Sequence, residues 1–246
     1  MMRFGLVFLC VLGLAGPAAA AKCDTDNHVE AIAGCTEFIQ SGTGSKVDRA
    51  QAYRRRAVAY LDQRAFKKAL ADFTQASRFQ PNNPEDNYGR GVAFTELKQT
   101  RSAMIEFAKA IALNKDYAEA YFERGSIQER AGHLSAALGE YGNAIRANPQ
   151  FAEAYNSRAW TYYKLGKPVL GLKDVDQAIA IAPGDADYHR ARAHILEAMG
   201  QRKSAIEVYR RMLRQDPADR DAEAGLVRLR APRLPANAKD GPKRLR

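Results

Sequence analysis

The stretch AEAYFERGSIQERAGHLSAALGEYGNAIRANP, residues 118–149, has the pattern of two helices joined by a tight turn. Gly125 lies midway along the first helix, and Gly132 separates the two helices. The second helix carries a small, bulky, small series on one face: Ala137, Tyr141 and Ala144. Pro149 ends the unit, because proline cannot continue a helix. The stretch therefore predicts a helical hairpin with closely packed helices.

The same pattern recurs with a period of 34 residues, which gives five tandem repeats. Their bounds are 50–83, 84–117, 118–151, 152–185 and 186–219. Each first helix has a small residue at its middle: Ala57, Gly91, Gly125, Ala159 and Ala193. Proline ends four of the repeats: Pro81, Pro149, Pro183 and Pro217. Glycine occupies the turn in the last three repeats, whereas Arg64 and Lys98 predict less sharply defined turns in the first two.

These small, bulky, small and proline positions resemble the signature of the tetratricopeptide repeat (TPR) family over residues 50–219. Two positions depart from it, Lys115 where proline is expected and Met212 where alanine is expected. The resemblance implies an all-α fold, an α-solenoid of tandem antiparallel helix pairs. Such pairs bury their apolar stripes only by stacking on their neighbours. It also implies a concave groove that binds a protein or peptide.

Both ends of the array are predicted to carry capping helices, because a terminal repeat turns one face to water. Residues 22–49 predict a capping helix and a linker, and residues 220–231 a second capping helix. Cys23 and Cys35 are expected to form a disulfide, since they are an even pair in a chain with an export signal. A metal site that also uses His28 is the weaker alternative, because no fourth ligand is apparent.

Residues 1–21 have the pattern of a secretory signal peptide. Arg3 precedes an apolar run at 4–14, and small residues suit cleavage near Ala20 or Ala21. The run of 11 residues is too short to cross a bilayer; an uncleaved membrane anchor is the alternative. We expect an exported protein of bacterial type, periplasmic or secreted after signal-peptide cleavage.

The formal net charge of +10 is concentrated at the C-terminus, where seven bases and one acid lie from Arg228 onward. Residues 232–246 combine proline with many charges and predict a disordered basic tail. Nucleic acid is not expected as a partner, because the chain has an export signal and acids follow the groove edge. A weak contact with an anionic envelope surface is a further expectation for the tail.

One stripe of each first helix is predicted to line the groove, because its members recur on one helical face. Aromatic side chains exposed there would anchor a peptide; packing against neighbouring helices is the alternative for each. The candidate partner-binding residues are Arg54, Tyr88, Val92, Phe122, Ser126, Asn156, Trp160, Tyr163, Arg190 and His194.

A ladder of arginines contributes one residue per repeat: Arg56, Arg90, Arg124, Arg158 and Arg192. We interpret the ladder as structural rather than ligand-binding. Acids recur on the second helices with the same period: Asp72, Glu106, Glu140 and Asp174. Each arginine is expected to form charge-assisted hydrogen bonds to the acid of its own repeat.

The sequence contains no recognisable nucleophile motif, phosphate-binding loop or zinc-ligand cluster. His189 and His194 are five residues apart, so they do not share a helix face as paired metal ligands would. No catalytic residue, metal or cofactor is therefore predicted. The expected function is a non-catalytic scaffold that binds a protein or peptide in its groove. The alternative is an accessory subunit of a cell-envelope assembly that docks through the basic tail or the convex face.

Overall fold

The computed structural model describes residues 23, 25 and 27–230. The predicted signal peptide and the predicted basic tail lie outside these residues. The described chain is all-α, an α-solenoid of tandem helix pairs as the resemblance implied. Its twelve helices are α1 His28–Ser41, α2 Lys46–Asp62, α3 Phe66–Phe79, α4 Pro84–Glu96, α5 Thr100–Leu113, α6 Ala118–Arg130, α7 Leu134–Ala147, α8 Ala152–Lys164, α9 Pro168–Ile181, α10 Ala186–Ala198, α11 Arg202–Gln215 and α12 Arg220–Arg228. None of these helices combines the length and the apolar character that a bilayer crossing requires.

Two compact units make up the chain, the first ending at Ala120 and the second beginning at Tyr121. The helix starts follow the sequence period, because α4, α6, α8, α10 and α12 begin 34 residues apart. Side-chain caps fix several of these starts. Asn83, Asp185 and Asp219 each accept a hydrogen bond from a backbone N–H in the first turn that follows.

The first repeat begins earlier than its expected start at Ala50. Helix α2 starts at Lys46, inside the segment that was predicted to be a linker. Ser45 and Asp48 form a capping box, in which each side chain satisfies a backbone N–H of the other residue. These hydrogen bonds begin the helix four residues upstream of the repeat boundary.

The turns inside the repeats have one geometry, so the expectation of looser turns at Arg64 and Lys98 is wrong. Both residues have the left-handed backbone of the later turn glycines, with φ of 58° and 61°. The residue after each turn donates a backbone hydrogen bond of 2.8–2.9 Å to the carbonyl five residues earlier, in all five repeats. The hydrogen bond is therefore kept at Arg64 and Lys98, although a side chain makes the left-handed backbone conformation less favourable than it is for glycine.

In the first unit, the bulky residues of the second helices pack into small residues of the first helices. A Cβ atom added to Gly91 would lie 2.5 Å from the ring of Phe107, and one added to Gly89 would lie 2.3 Å from the ring of Phe73. Helix α1 packs on α2 beside a small core that contains Cys35, and the predicted disulfide joins Cys35 to Cys23. The disulfide prediction is confirmed.

The second unit uses the same packing. A Cβ atom added to Gly125 would lie 2.7 Å from the ring of Tyr141, which is itself fully buried. At the end of the array, Leu226 of α12 packs with Tyr209 and Met212 of α11. Met212, which departs from the repeat signature, therefore belongs to the core that the last helix covers.

Candidate partner-binding face

The arginine ladder is structural in its first four members, as predicted. Each guanidinium reaches the acid of its own repeat with an N–O distance of 2.6–2.7 Å; the pairs are Arg56–Asp72, Arg90–Glu106, Arg124–Glu140 and Arg158–Asp174. The fifth differs, because Val208 replaces the acid in that repeat. Arg192 pairs with Asp176 of the preceding repeat at 2.6 Å instead.

Arg54, a predicted groove residue, is part of a buried ion pair. Its Nε donates to Oδ1 of Asp86 at 2.7 Å, and its Nη2 donates to Oε1 of Gln80 at 2.7 Å. Arg54 is 6% exposed and Asp86 is fully buried. Burial raises the pKa of Asp86, and the guanidinium of Arg54 opposes that shift. Arg54 was a candidate partner-binding residue, but its side chain is not accessible to a partner because it is buried in this ion pair between successive repeats.

Tyr88 and Val92, the other candidates in the first unit, are also buried. The ring of Tyr88 lies 5.7 Å from that of Phe107 and 5.2 Å from that of Tyr117, centroid to centroid. This aromatic packing places Tyr88 inside the protein, so the prediction of an exposed ring is wrong here.

Phe122 is a third buried candidate, in the second unit. Its ring lies 5.7 Å from Tyr141 and 5.1 Å from Phe151, centroid to centroid, and its exposed fraction is 9%. The prediction of an exposed Phe122 is therefore wrong as well. Ser126, one turn further along α6, is half-buried at 3.5 Å from the hydroxyl of Tyr141.

The remaining candidates lie together in the second unit. Asn156, Trp160 and Tyr163 of α8 are all partly exposed, as are Arg190 and His194 of α10. The rings of Trp160 and Tyr163 are 5.4 Å apart and perpendicular, and Trp160 is 5.7 Å from the ring of His194. We call Trp160, Tyr163 and His194 the aromatic cluster.

Charged groups surround the aromatic cluster. His194 Nε2 lies 3.0 Å from Oδ2 of Asp221. Arg190 forms ion pairs with Asp187, with Asp219 at 3.3 Å and with Asp221 at 3.5 Å. These pairs connect the first turns of α10 and α12 with the middle of α10.

A tyrosine–carboxylate pair occurs twice in this unit. The hydroxyl of Tyr141 donates to Glu129 at 2.7 Å, and that of Tyr209 donates to Glu197 at 2.6 Å. A base completes each pair: Lys164 lies 2.6 Å from Glu129, and Arg228 lies 2.9 Å from Glu197.

In the Tyr209–Glu197 pair, the surroundings of the carboxyl lower its pKa. Burial opposes the ionisation of Glu197, but hydrogen bonds from Arg228 and Tyr209 outweigh it and lower the pKa of Glu197. Sequence reasoning missed Tyr209, Asp221 and Arg228 as neighbours of this face. The identical 12-residue separation of Tyr from Glu in two repeats was the available signal.

A second group of acids lies at the helix starts. Partial desolvation and the charge of Asp185 raise the pKa of Glu153. Burial, followed by the charges of Asp185 and Glu153, raises the pKa of Tyr188 to about 12. The starts of α8 and α10 therefore carry mutually repelling carboxylates.

The described residues contain no group of three or more His, Cys, Asp or Glu side chains arranged to hold a metal ion. The aromatic cluster and the paired charges around it are partly exposed on the second unit. A peptide could bury apolar side chains against the aromatic cluster and pair polar groups at its edge.

Comparison with known proteins identifies the repeat type. Tetratricopeptide repeat models match residues 122–186 and 186–229. The comparison with curated protein sequences returned no match.

Solved structures share the fold. MamA from Desulfovibrio magneticus RS-1 is 21% identical, with a TM-score of 0.61 over 72% of this chain and 98% of that one. A tetratricopeptide repeat protein from Parabacteroides merdae ATCC 43184 is 17% identical, with a TM-score of 0.63 over 73% and 72%. A thermophilic TPR protein from Thermus thermophilus is 24% identical, with a TM-score of 0.55 over 73% and 98%. With its helix pairs, its 34-residue period and these matches, the chain contains tetratricopeptide repeats, which the family models match over residues 122–229.

Proposed function

We propose that the protein is a non-catalytic scaffold that binds an extended segment of a partner protein on the second unit. The contact surface consists of the aromatic cluster with Asn156, Arg190 and Glu197 at its edge. The single observation that carries the proposal is the partial exposure of Trp160, Tyr163 and His194 as one group. The aromatic candidates Tyr88 and Phe122 are buried in the core instead.

Ring size and exposure support this choice. Trp and Tyr supply large contact areas with few rotatable bonds, and they dominate the binding energy of many interfaces. Here their packing against each other fixes the rings before a partner arrives, which reduces the ordering cost of binding. The family resemblance supports the class of partner, since tetratricopeptide repeats generally serve as protein-interaction scaffolds.

The proposed location is outside the cytoplasm, periplasmic or secreted. The supporting features are the signal-peptide pattern of residues 1–21 and the Cys23–Cys35 disulfide. Disulfides persist in oxidising compartments and are rare in the cytosol. Fractionation of the native cells tests this location, and a purely cytosolic protein with free thiols would contradict it.

The binding proposal is tested by capture from an extract of the native cells, followed by mass spectrometry of the retained proteins. Tyr163→Ser should reduce the captured partner, because it removes one ring of the aromatic cluster. Tyr162→Ser is the matched control, since Tyr162 immediately precedes Tyr163 in α8 and is also partly exposed. Equal capture by both variants, with unchanged helical circular dichroism, would show that the aromatic cluster is not the contact surface.

A further inference from the structure

The charge on the proposed binding surface is opposite to the charge of the chain as a whole. Six carboxylates lie at or beside the surface: Glu153, Asp185, Asp187, Glu197, Asp219 and Asp221. Three guanidiniums accompany them: Arg190, Arg220 and Arg228. The ammonium of Lys164, beside Tyr163, is balanced by its ion pair with Glu129. The chain itself has a formal net charge of +10. The surface is therefore an acidic region of a basic protein.

Part of this excess negative charge is poorly compensated. Glu153 is exposed on the surface, yet partial desolvation and then the negative charge of Asp185 raise its pKa. A basic segment placed beside these two acids would relieve their repulsion. Glu153 and Asp187 lie in the first turns of α8 and α10, and Asp185 is the N-cap of α10. The aromatic cluster lies on the same two helices about two to three turns further along.

The last described helix shows how a base engages this surface. Arg228, near the end of α12, places Nη2 2.9 Å from Glu197 and 3.2 Å from the hydroxyl of Tyr209. Arg202 of α11 donates from Nε to the carbonyl of Leu229 at 3.0 Å, which fixes the point where the chain leaves α12. The chain thus leaves the helix beside a carboxylate of the surface that already pairs with one of its bases.

Residues 231–246 follow directly and carry five bases and one acid. Sixteen residues can extend over about 50 Å at roughly 3.3 Å per residue. Helix α10 has 13 residues, which corresponds to a length of about 20 Å. The segment is long enough to run from Arg230 along α10 to the acids at the helix starts.

We propose that residues 231–246 of the same chain bind on this surface, with their bases against the helix-start carboxylates and their backbone across the aromatic cluster. The segment would then compete with the partner, so the surface would be self-occupied until a tighter ligand displaces it. This inference rests on the proposed function for the surface, but it does not depend on which partner binds there.

Trp160 makes the test direct, because it is the only tryptophan in the protein and belongs to the aromatic cluster. The measurement is acrylamide quenching of its fluorescence in the full chain and in a chain that ends at Arg230. A short tether gives the segment an effective concentration of about 1 mM. A contact with a Kd of about 1 mM would then cover Trp160 about half of the time. We therefore expect the quenching constant of the full chain at low salt to be about half that of the shortened chain. The difference should disappear at about 1 M salt, where the screening length falls to about 3 Å.

Charge-removing variants test whether Glu153 and Asp185 hold the segment. In the full chain, Glu153→Gln with Asp185→Asn should increase the quenching to that of the shortened chain. Glu207→Gln is the matched control, because Glu207 is exposed on α11, a second helix, and should leave the protection intact. A synthetic peptide of residues 231–246, added at about 1 mM to match the tether, should protect Trp160 in the shortened chain. The same peptide with its five bases changed to Gln should not.

Three results would overturn the inference: equal quenching of the full and shortened chains at low salt, protection that persists in the Glu153 and Asp185 variant, or protection that rises with protein concentration. The last result would assign the contact to a second copy of the chain. Partner capture separates this inference from the proposed function. If the segment competes, the shortened chain should capture more partner, and Tyr163→Ser should still reduce it. Loss of tail protection with normal Tyr163-dependent capture would refute the tail contact alone.

Discussion

Nε of Arg54 lies 2.7 Å from Oδ1 of Asp86, and this ion pair joins successive repeats while both side chains are buried. Buried charge pairs of this kind are costly to break from one side, because the remaining charge has neither water nor partner. The pair therefore accounts for an arginine at a position where the sequence indicated a groove.

Arg54→Ala should lower the free energy of unfolding by about 3–5 kcal/mol, since it leaves Asp86 charged and buried. Replacing both partners, Arg54→Met with Asp86→Leu, should cost much less, because no unpaired charge remains. Urea denaturation followed by circular dichroism measures both, with Lys67→Ala on the exposed side of α3 as the control. A loss for Arg54→Ala no larger than that of the control would contradict the role of the pair.

Two members of the arginine ladder occupy the same position in successive repeats but differ in exposure, so their ion pairs can be compared directly. The side chains of Arg158 and Asp174 are 21% and 10% exposed, whereas those of Arg192 and Asp176 are 33% and 48% exposed. Arg158→Ala should cost about 1.5–3 kcal/mol, the usual value for charge-assisted hydrogen bonds. Arg192→Ala should cost less than about 1 kcal/mol, as exposed ion pairs do. Neither change should alter partner capture, and a selective loss of capture for Arg158→Ala would revive a binding role for the ladder.

The close approach of helices at Gly125 can be tested with a single methyl group. Gly125→Ala should destabilise the protein by about 1–3 kcal/mol, because its Cβ would overlap the buried ring of Tyr141. Gly139→Ala is the matched control in the neighbouring helix α7, where nothing lies within 4 Å of the new atom. It should stabilise the protein by up to about 1 kcal/mol through helix propensity. Thermal melts that show the same sign for both changes would argue against the close packing.

The left-handed turn at Lys98, with φ of 61°, predicts an easy gain in stability. Lys98→Gly should raise the free energy of unfolding by about 1 kcal/mol, because glycine adopts this conformation without the Cβ clash. Ala71→Gly places the same residue type in the middle of α3 and should lower stability by a similar amount. Equal destabilisation by both changes would mean that the turn at Lys98 carries no strain.

The positions of the helices were the part of the fold that the sequence predicted well, through its repeat period. Small residues, turn residues and prolines at a fixed period specify where each helix begins and ends, because their effects act within a few residues of chain. Helices α4, α6, α8, α10 and α12 begin at that period. The arginine ladder could also be foreseen, since its acids repeat with the same spacing in the same hairpin. The capping box at Ser45 was equally local, but the repeat boundary at Ala50 obscured it.

The sequence by itself thus determined the helix pairs and the repeat type, which depend on spacing along the chain. It also predicted the disulfide, from an even pair of cysteines behind an export signal. Only the tertiary structure decided which members of the predicted groove stripe are exposed. Arg54, Tyr88, Phe122 and Trp160 come from the same side of their helices, yet the first three are buried and Trp160 is partly exposed. Burial depends on what the neighbouring helices bring to each position: Asp86 to Arg54, Tyr117 to Tyr88, and Phe151 to Phe122. Those partners are long-range, and helical periodicity carries no information about them.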